Sequence, residues 1–314
     1  MIGKTVTVTV DRKLGTYHPR SNQILYSVNY GYVSGIIAGD GSEQDAYILG
    51  INEPLDTFTG KVIAIIHRND DIEEKWVVAP ENMLFTAEEI KKQTYFVEQY
   101  FNIEVKMSMW DTISIAWQIA FEQAWESFVN GSIPIGSSIT DENGNVISFG
   151  RNRLYEDTTK NPKVAHAEAE AVRELDISKN PNVKSYTLYT TMEPCFMCMG
   201  TIVMGNLRKL RIAARDSYCG AAHYSINDPY IASKKIKVDF ELGLLEAVQL
   251  VMQTYFEIKS QTGKMNQLTE LFEKDNPLAV QIAQTLYVEN RLDWHISNKI
   301  PFNKVFNEIA TQIV

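Results

Sequence analysis

The chain has 314 residues, of which 45% are hydrophobic and 22% charged, and its formal net charge is -9. That length predicts two domains with room for a small third unit, and the composition suits a chain that buries a real core. The acidic balance argues against a general nucleic-acid binder, because phosphate contacts draw on Lys and Arg. The start, Met1-Ile-Gly-Lys-Thr5, lacks the apolar run of a secretion signal. No stretch of about 20 apolar residues suggests a membrane span. A cytoplasmic protein with no membrane partner is therefore expected. Of the cysteines Cys195, Cys198 and Cys219, two stand three apart, a spacing that suits metal better than a disulfide framework.

In chain order, Thr5-Val-Thr-Val-Thr-Val10 alternates polar and apolar side chains, as a half-buried strand does. Residues 45–49, 61–66 and 75–79 are further β-type runs, punctuated by Gly39, Gly41, Pro54, Gly60 and Pro80. They predict a small β-barrel. Thr86-Ala-Glu-Glu89 has the form of a capping box and opens a helix expected to reach Phe101.

A second regime starts near Met107. Ile113, Ala116, Ala120, Ala124 and Phe128 recur at helical spacing, with Asn130-Gly131 as the stop. Strands are expected at residues 135–140 and 146–150, joined by the turn Asp141-Glu-Asn-Gly144. A helix opening near His166, a strand at 185–190, a helix at 195–204 and a strand at 209–213 follow. This alternation predicts a layered α/β domain. From Glu241 onward the chain reads as four helices divided at Gly263, Asp275-Asn-Pro277 and Pro301. Such a tail would cover the α/β core or build a subunit interface.

Two motifs carry chemistry. His166-Ala-Glu168 is followed by Pro194-Cys195-Phe-Met-Cys198, which together spell H-x-E and P-C-x-x-C. This is the pattern of zinc nucleobase deaminases. A catalytic zinc takes three protein ligands and keeps one position open. One imidazole and two thiolates make that set, and cysteines three apart on a helix share a face. At a first helical turn, free N–H groups and the dipole lower a thiol's pKa. Pro194 suits the entry to that turn, where its missing N–H costs nothing. Zinc makes water nucleophilic near neutral pH, and Glu168 would shuttle the proton. A C-x-x-C pair also occurs as half of a closed four-ligand structural site, for which Cys219 and His223 are the available partners. Redox use of the pair would leave His166-Ala-Glu168 without a role.

At these residues the chain resembles the cytidine and deoxycytidylate deaminase superfamily, and within it the tRNA adenosine deaminases and related nucleoside deaminases. Ser132-Ile-Pro-Ile-Gly136, Gly150-Arg-Asn152-Arg, Ala213-Ala-Arg-Asp216 and Gly220-Ala-Ala222 extend the likeness. The resemblance implies an α/β/α three-layer fold, Zn2+ on His166, Cys195 and Cys198, and Glu168 as proton shuttle. It further implies Asn152 and the backbone of Ala167 at the substrate, and a homo-oligomer such as a dimer. Asn152 also reads as a turn residue capping local backbone. The implied activity is hydrolytic deamination of a nucleobase, nucleoside or nucleotide, with tRNA as the alternative substrate. The acidic chain and its end, Phe302-Asn-Lys-Val-Phe-Asn-Glu308, depart from the basic surfaces of the tRNA enzymes.

The amino-terminal part resembles soluble inorganic pyrophosphatases through Tyr26-Ser-Val-Asn-Tyr30-Gly-Tyr32 and Asp40-Gly-Ser-Glu-Gln-Asp45. Asp40 and Asp45 match two acids of a D-x-D-x-x-D pattern, Ser42 replaces the middle one, and Lys75 matches a phosphate-facing Lys. The resemblance implies a phosphate or Mg2+ site at Tyr30, Asp40, Asp45 and Lys75. Loss of a carboxylate removes charge and a ligand from such a site, so a phosphate-binding or purely packing barrel is the competing expectation. The resulting division is a pyrophosphatase-like β-barrel over residues 1–105, a zinc-dependent deaminase domain over 106–260 and a helical carboxy-terminal extension over 261–314.

Overall fold

The computed structural model describes residues 1–19, 21–80, 83, 85–157 and 160–313. They form two compact units, Met1–Ile113 and Ser114–Val314.

The first unit holds β1 (Thr5–Arg12), β2 (Tyr17–His18), β3 (Ser21–Leu25), β4 (Asn29–Ile37), β5 (Glu43–Ile48), β6 (Thr57–Arg68), β7 (Glu74–Ala79), α1 (Ala87–Glu98) and β8 (Ile103–Met107). The strand order β1-β4-β5-β7-β6 closes on itself because β1 also pairs with β6, giving a five-stranded barrel with β8 appended to β6. All these pairings are antiparallel except β5 with β7. Gly31 permits the closure at β4. A Cβ there would come within 1.9 Å of the Thr9 carbonyl oxygen of β1. The apolar run of β7 is buried on both faces. Trp76 and Val78 join Val8, Ala46 and Ile48, whereas Val77 and Ala79 join Tyr47, Leu49 and Ile90 of α1. The capping box at Thr86 and Glu89 is formed as the sequence predicts. The helix stops at Glu98 rather than Phe101, because the chain turns there to enter β8. The boundary expected at residue 105 falls inside β8, whose pairing with β6 runs from Ile103 opposite Arg68 to Met107 opposite Ala64. The unit therefore extends to Ile113.

The second unit opens with α2 (Ile115–Val129), β9 (Gly136–Thr140), β10 (Val146–Arg151), α3 (Ala167–Glu174), β11 (Thr187–Met192), α4 (Phe196–Met204) and β12 (Lys209–Ala214). Two short helices, α5 (Tyr224–Asn227) and α6 (Pro229–Ser233), lead to β13 (Lys237–Phe240). The long α7 (Leu244–Ser260) is followed by α8 (Gln267–Asp275), α9 (Pro277–Val288), α10 (Arg291–Ser297) and α11 (Phe302–Ile313). The sheet order is β10-β9-β11-β12-β13, antiparallel through β10, β9 and β11 and parallel thereafter.

Strand alternation assigns the layers. Ile139 and Leu188 pack in one core with Met199 and Ile202 of α4 and Ala171 of α3. Their neighbours Ser138 and Tyr189 face α2. The Ser138 hydroxyl donates to the Ala116 carbonyl at 2.8 Å, and the Tyr189 ring stands edge-on to Trp117. Helices thus cover both faces of the sheet. α2 is apolar on more than one side, with Ala116, Trp117, Ala120, Phe121, Ala124, Trp125 and Phe128 all buried. Its outer side is covered by the tail: Phe121 meets Phe306 and Trp125 meets Phe302, both of α11. Among the described residues the tail has five helices, α7 to α11, because Asn290 adds a break with a left-handed backbone at φ 53°. It is part of the same compact unit as the sheet. Among the described residues no helix is long and apolar enough to cross a membrane.

Candidate active site

The starts of α3 and α4 converge. His166 is the N-cap of α3 and Cys195 the N-cap of α4, and neither makes a side-chain capping bond to its own helix. Their side chains are thereby free to turn toward each other. Cys195 Sγ lies 3.5 Å from His166 Nδ1, and the ligand atoms of His166, Cys195 and Cys198 all fall within 4.8 Å of one another. A tetrahedral ion with metal–sulfur and metal–nitrogen bonds of about 2.3 and 2.0 Å holds sulfur and nitrogen about 3.5 Å apart. The donor set therefore fits zinc. Cys219 and His223 do not complete a fourth-ligand set. The Cys219 thiol donates to Asp216 Oδ2 at 3.0 Å, and His223 lies ring to ring with Tyr224. Among the described residues this trio is the group with metal-binding geometry.

The thiols share charge unequally. Hydrogen bonding from Cys198 pulls Cys195 down to about 4, with His166 helping. The bond to Cys195 and burial push Cys198 up. The Cys195 bond raises His166. A divalent cation at the centre would draw negative charge from both sulfurs.

Glu168, in the first turn of α3, is only 3% exposed, and burial raises its pKa. Its Oε1 lies 3.2 Å from the Thr190 hydroxyl, which also reaches the Met192 carbonyl at 3.0 Å. Gly150 of β10 sets the approach of α3: a Cβ there would sit 2.4 Å from both the Ala167 carbonyl oxygen and the Ala171 nitrogen. Ala167 itself is fully buried.

Asn152 follows β10 and is 1% exposed. Its Oδ1 accepts from the Leu154 N–H and from the Ser132 hydroxyl, each at 2.9 Å. The oxygen does local structural work, as the turn-residue expectation has it.

Glu193 was not singled out by the sequence. It stands beside Pro194, and its carboxylate accepts from the Asp216 and Ala222 N–H groups at 3.2 and 3.0 Å. With the Ala221 N–H bonded to the Pro194 carbonyl, it pins the loop after β12 against the cysteine turn. The local clue was an acid directly preceding a motif proline. Thr190 carried no local clue.

At the amino-terminal candidates, the structure joins Tyr30, Asp45 and Lys75. Lys75 Nζ bonds Asp45 Oδ2 at 2.5 Å and also Glu73, while burial and the nearby Asp45 carboxylate push the Tyr30 hydroxyl's pKa up. Asp40 lies in the turn before β5, where its carboxylate accepts from the Ser42 N–H at 2.9 Å. No hydrogen bond or ion pair among the described residues links it to the other three.

The family model described as the cytidine and deoxycytidylate deaminase zinc-binding region matches residues 111–214. The tRNA-specific adenosine deaminase of Rickettsia bellii is 36% identical over 117 residues, covering 37% of this chain and 77% of the relative. The cytosine deaminase of Candida albicans is 31% identical over 103 residues, covering 33% of this chain and 67% of the relative. Among solved structures, an inorganic pyrophosphatase from Ehrlichia chaffeensis is 14% identical, with a TM-score of 0.29, covering 36% of this chain and 91% of that one.

Fold and site define the class: an enzyme that removes amino groups by hydrolysis. The chain belongs to the cytidine and deoxycytidylate deaminase family.

Proposed function

We propose that this protein catalyses zinc-dependent hydrolytic deamination of a free nucleobase, nucleoside or nucleotide, releasing ammonia. The observation that carries this reading is the buried Glu168 beside three side chains able to hold one metal. Zinc on His166, Cys195 and Cys198 would supply the Lewis acidity that makes water nucleophilic near neutral pH. Glu168 would carry the two protons of the attacking water in turn, the first to the ring nitrogen and the second, taken from the newly added hydroxyl, to the amine that leaves as ammonia. Thr190 holds the carboxylate in place. Asn152 directs its amide nitrogen at the substrate, and Ala167 forms part of the wall. Water replaces the amino group, and the products are the oxo base and ammonia.

A net charge of -9 favours a small substrate over tRNA. The test is ammonia release from adenine, guanine, cytosine and their nucleosides and nucleotides by the zinc-loaded protein, with an anticodon stem-loop assayed for inosine at low salt. Release from a small compound, lost in Glu168→Gln, supports the reading. Inosine in the stem-loop without small-molecule turnover replaces the substrate with tRNA. No turnover of any substrate by zinc-loaded protein overturns the mechanism.

A further inference from the structure

Arg153 follows Asn152 directly, and its backbone is held from two sides. Its N–H donates to the Ala165 carbonyl at 2.9 Å, and its carbonyl accepts from the Glu156 N–H at 3.1 Å. Ala165 is buried and immediately precedes His166. The arginine is therefore anchored at the edge of the candidate metal centre, one residue from Asn152 along the chain and one from His166 across the loop.

Its side chain is unlike those of the other described arginines, which each meet a carboxylate, a carbonyl or an aromatic ring. The half-buried Arg153 has a buried Nε with no partner, while its terminal nitrogens, which also bond nothing among the described residues, stay open to solvent. Leaving a buried donor of a cation unbonded costs free energy, and an acceptor seated there would recover it. Nε and the neighbouring terminal nitrogen make one of the flat two-donor edges that match a phosphate.

The surrounding charge has the same sign. Arg151 is taken up by Glu126 and Glu156. That leaves Arg153 and the exposed Lys160 and Lys163 against Asp157, in the stretch that leads to His166. A locally positive stretch beside the centre contrasts with the chain's net charge of -9. A polyanion would also meet the acidic remainder of the surface. A single phosphate carried by the substrate needs only this one arginine, and a free base or nucleoside would leave it empty.

We propose that Arg153 is a specificity-determining residue that takes the phosphate of the substrate, so that the deaminase centre prefers nucleoside monophosphates to nucleosides and free bases. This rests on the deaminase reading of the site and names its substrate class.

The test reads binding, so it does not depend on turnover. Zinc-loaded full-length Glu168→Gln protein is titrated calorimetrically with adenosine, guanosine and cytidine and with their 5′-monophosphates. For at least one base the monophosphate should bind about tenfold or more tighter than its nucleoside. Adding Arg153→Ala should bring the pair to within about threefold of each other. Arg153→Lys, which keeps the charge and loses the fork, should retain part of the preference. Zinc content and circular dichroism verify the fold of each variant. Nucleosides binding as tightly as their monophosphates overturn the proposal, and this comparison needs no change at Arg153. A preference that survives Arg153→Ala overturns it too, because the phosphate then sits elsewhere. So does an anticodon stem-loop that Arg153→Ala weakens while no monophosphate is preferred, which assigns the arginine to RNA. Turnover of nucleosides without any monophosphate preference sinks this proposal and leaves the deaminase reading standing. The expected binding with no turnover by the wild-type protein does the reverse.

Discussion

The hydroxyl of Thr190 lies 3.2 Å from Oε1 of Glu168, and both side chains are shut away from solvent. A hydroxyl has one proton to give. While Glu168 is ionised, Thr190 can donate to it; once Glu168 is protonated, Thr190 can accept and turn its own proton to the Met192 carbonyl. Thr190 therefore positions the carboxylate in both of its states. Thr190→Val should lower kcat about 10- to 150-fold, in line with roughly 1.5–3 kcal/mol for a hydrogen bond to a charged group. KM should hardly move, and Thr190→Ser should restore most of the rate. Steady-state kinetics on all three proteins decide this. Equal losses in kcat for the valine and serine variants would show that the hydroxyl is not the working part.

Glu168→Gln keeps the shape of the side chain and removes its ability to carry a proton. Loss of a positioned general acid–base costs about 10²–10⁴-fold in rate. We expect that loss with bound zinc unchanged, as measured by elemental analysis of the purified variant.

Cys198 is fully buried in the trio. Cys198→Ser should lower the zinc content of the purified protein well below one per chain and abolish turnover with it. In the wild-type chain, a chelator should remove activity and added Zn2+ should restore it. Full activity after verified removal of metal would contradict the zinc assignment.

Gly150 has no room for a side chain against α3. Gly150→Ala should cost about 1–3 kcal/mol through overpacking and displace the helix that begins at His166. A lower denaturation midpoint together with weaker zinc retention is the expected pair of results. A variant as stable as the parent would show that the contact yields cheaply.

In the barrel unit, Arg68 and Glu98 form a buried pair, with side chains 5% and 1% exposed. Removing one partner of such a pair costs about 3–5 kcal/mol, because the other charge is left buried alone. Glu98→Ala should therefore destabilise the barrel unit strongly, read as an early transition in chemical denaturation. Glu98→Gln should cost less, since it still accepts from Arg68 and from Tyr47.

What could be read from sequence follows the range of the interactions involved. The clustering of His166, Cys195 and Cys198 was legible because Cys195 and Cys198 are neighbours on one helical turn and His166-Ala-Glu168 is another short word. The Thr86 capping box was legible for the same reason. β8 and β13 escaped notice. Both are short, of five and four residues, and they are fixed by pairing with β6 and β12, partners distant in sequence. The break at Asn290 carries no Gly or Pro to announce it. Glu193 looked like an ordinary acid until the loop bearing Asp216 and Ala222 folded over it. Thr190 gained its role only when β11 and α3 were brought side by side.

The convergence of two helix starts on one point bears on how the chain matures. Before folding, a metal ion meets only the local pair of cysteines. The imidazole arrives once α3 has docked beside α4, with β11 between them in the chain. A zinc ion held by the trio would reach its full binding strength only with that docking complete, and its free energy would become part of the fold's own. Zinc uptake during refolding would serve as a stopwatch for this event, separable from the recovery of helix content. Cells short of zinc would be expected to accumulate less of the mature protein, not merely a silent form of it.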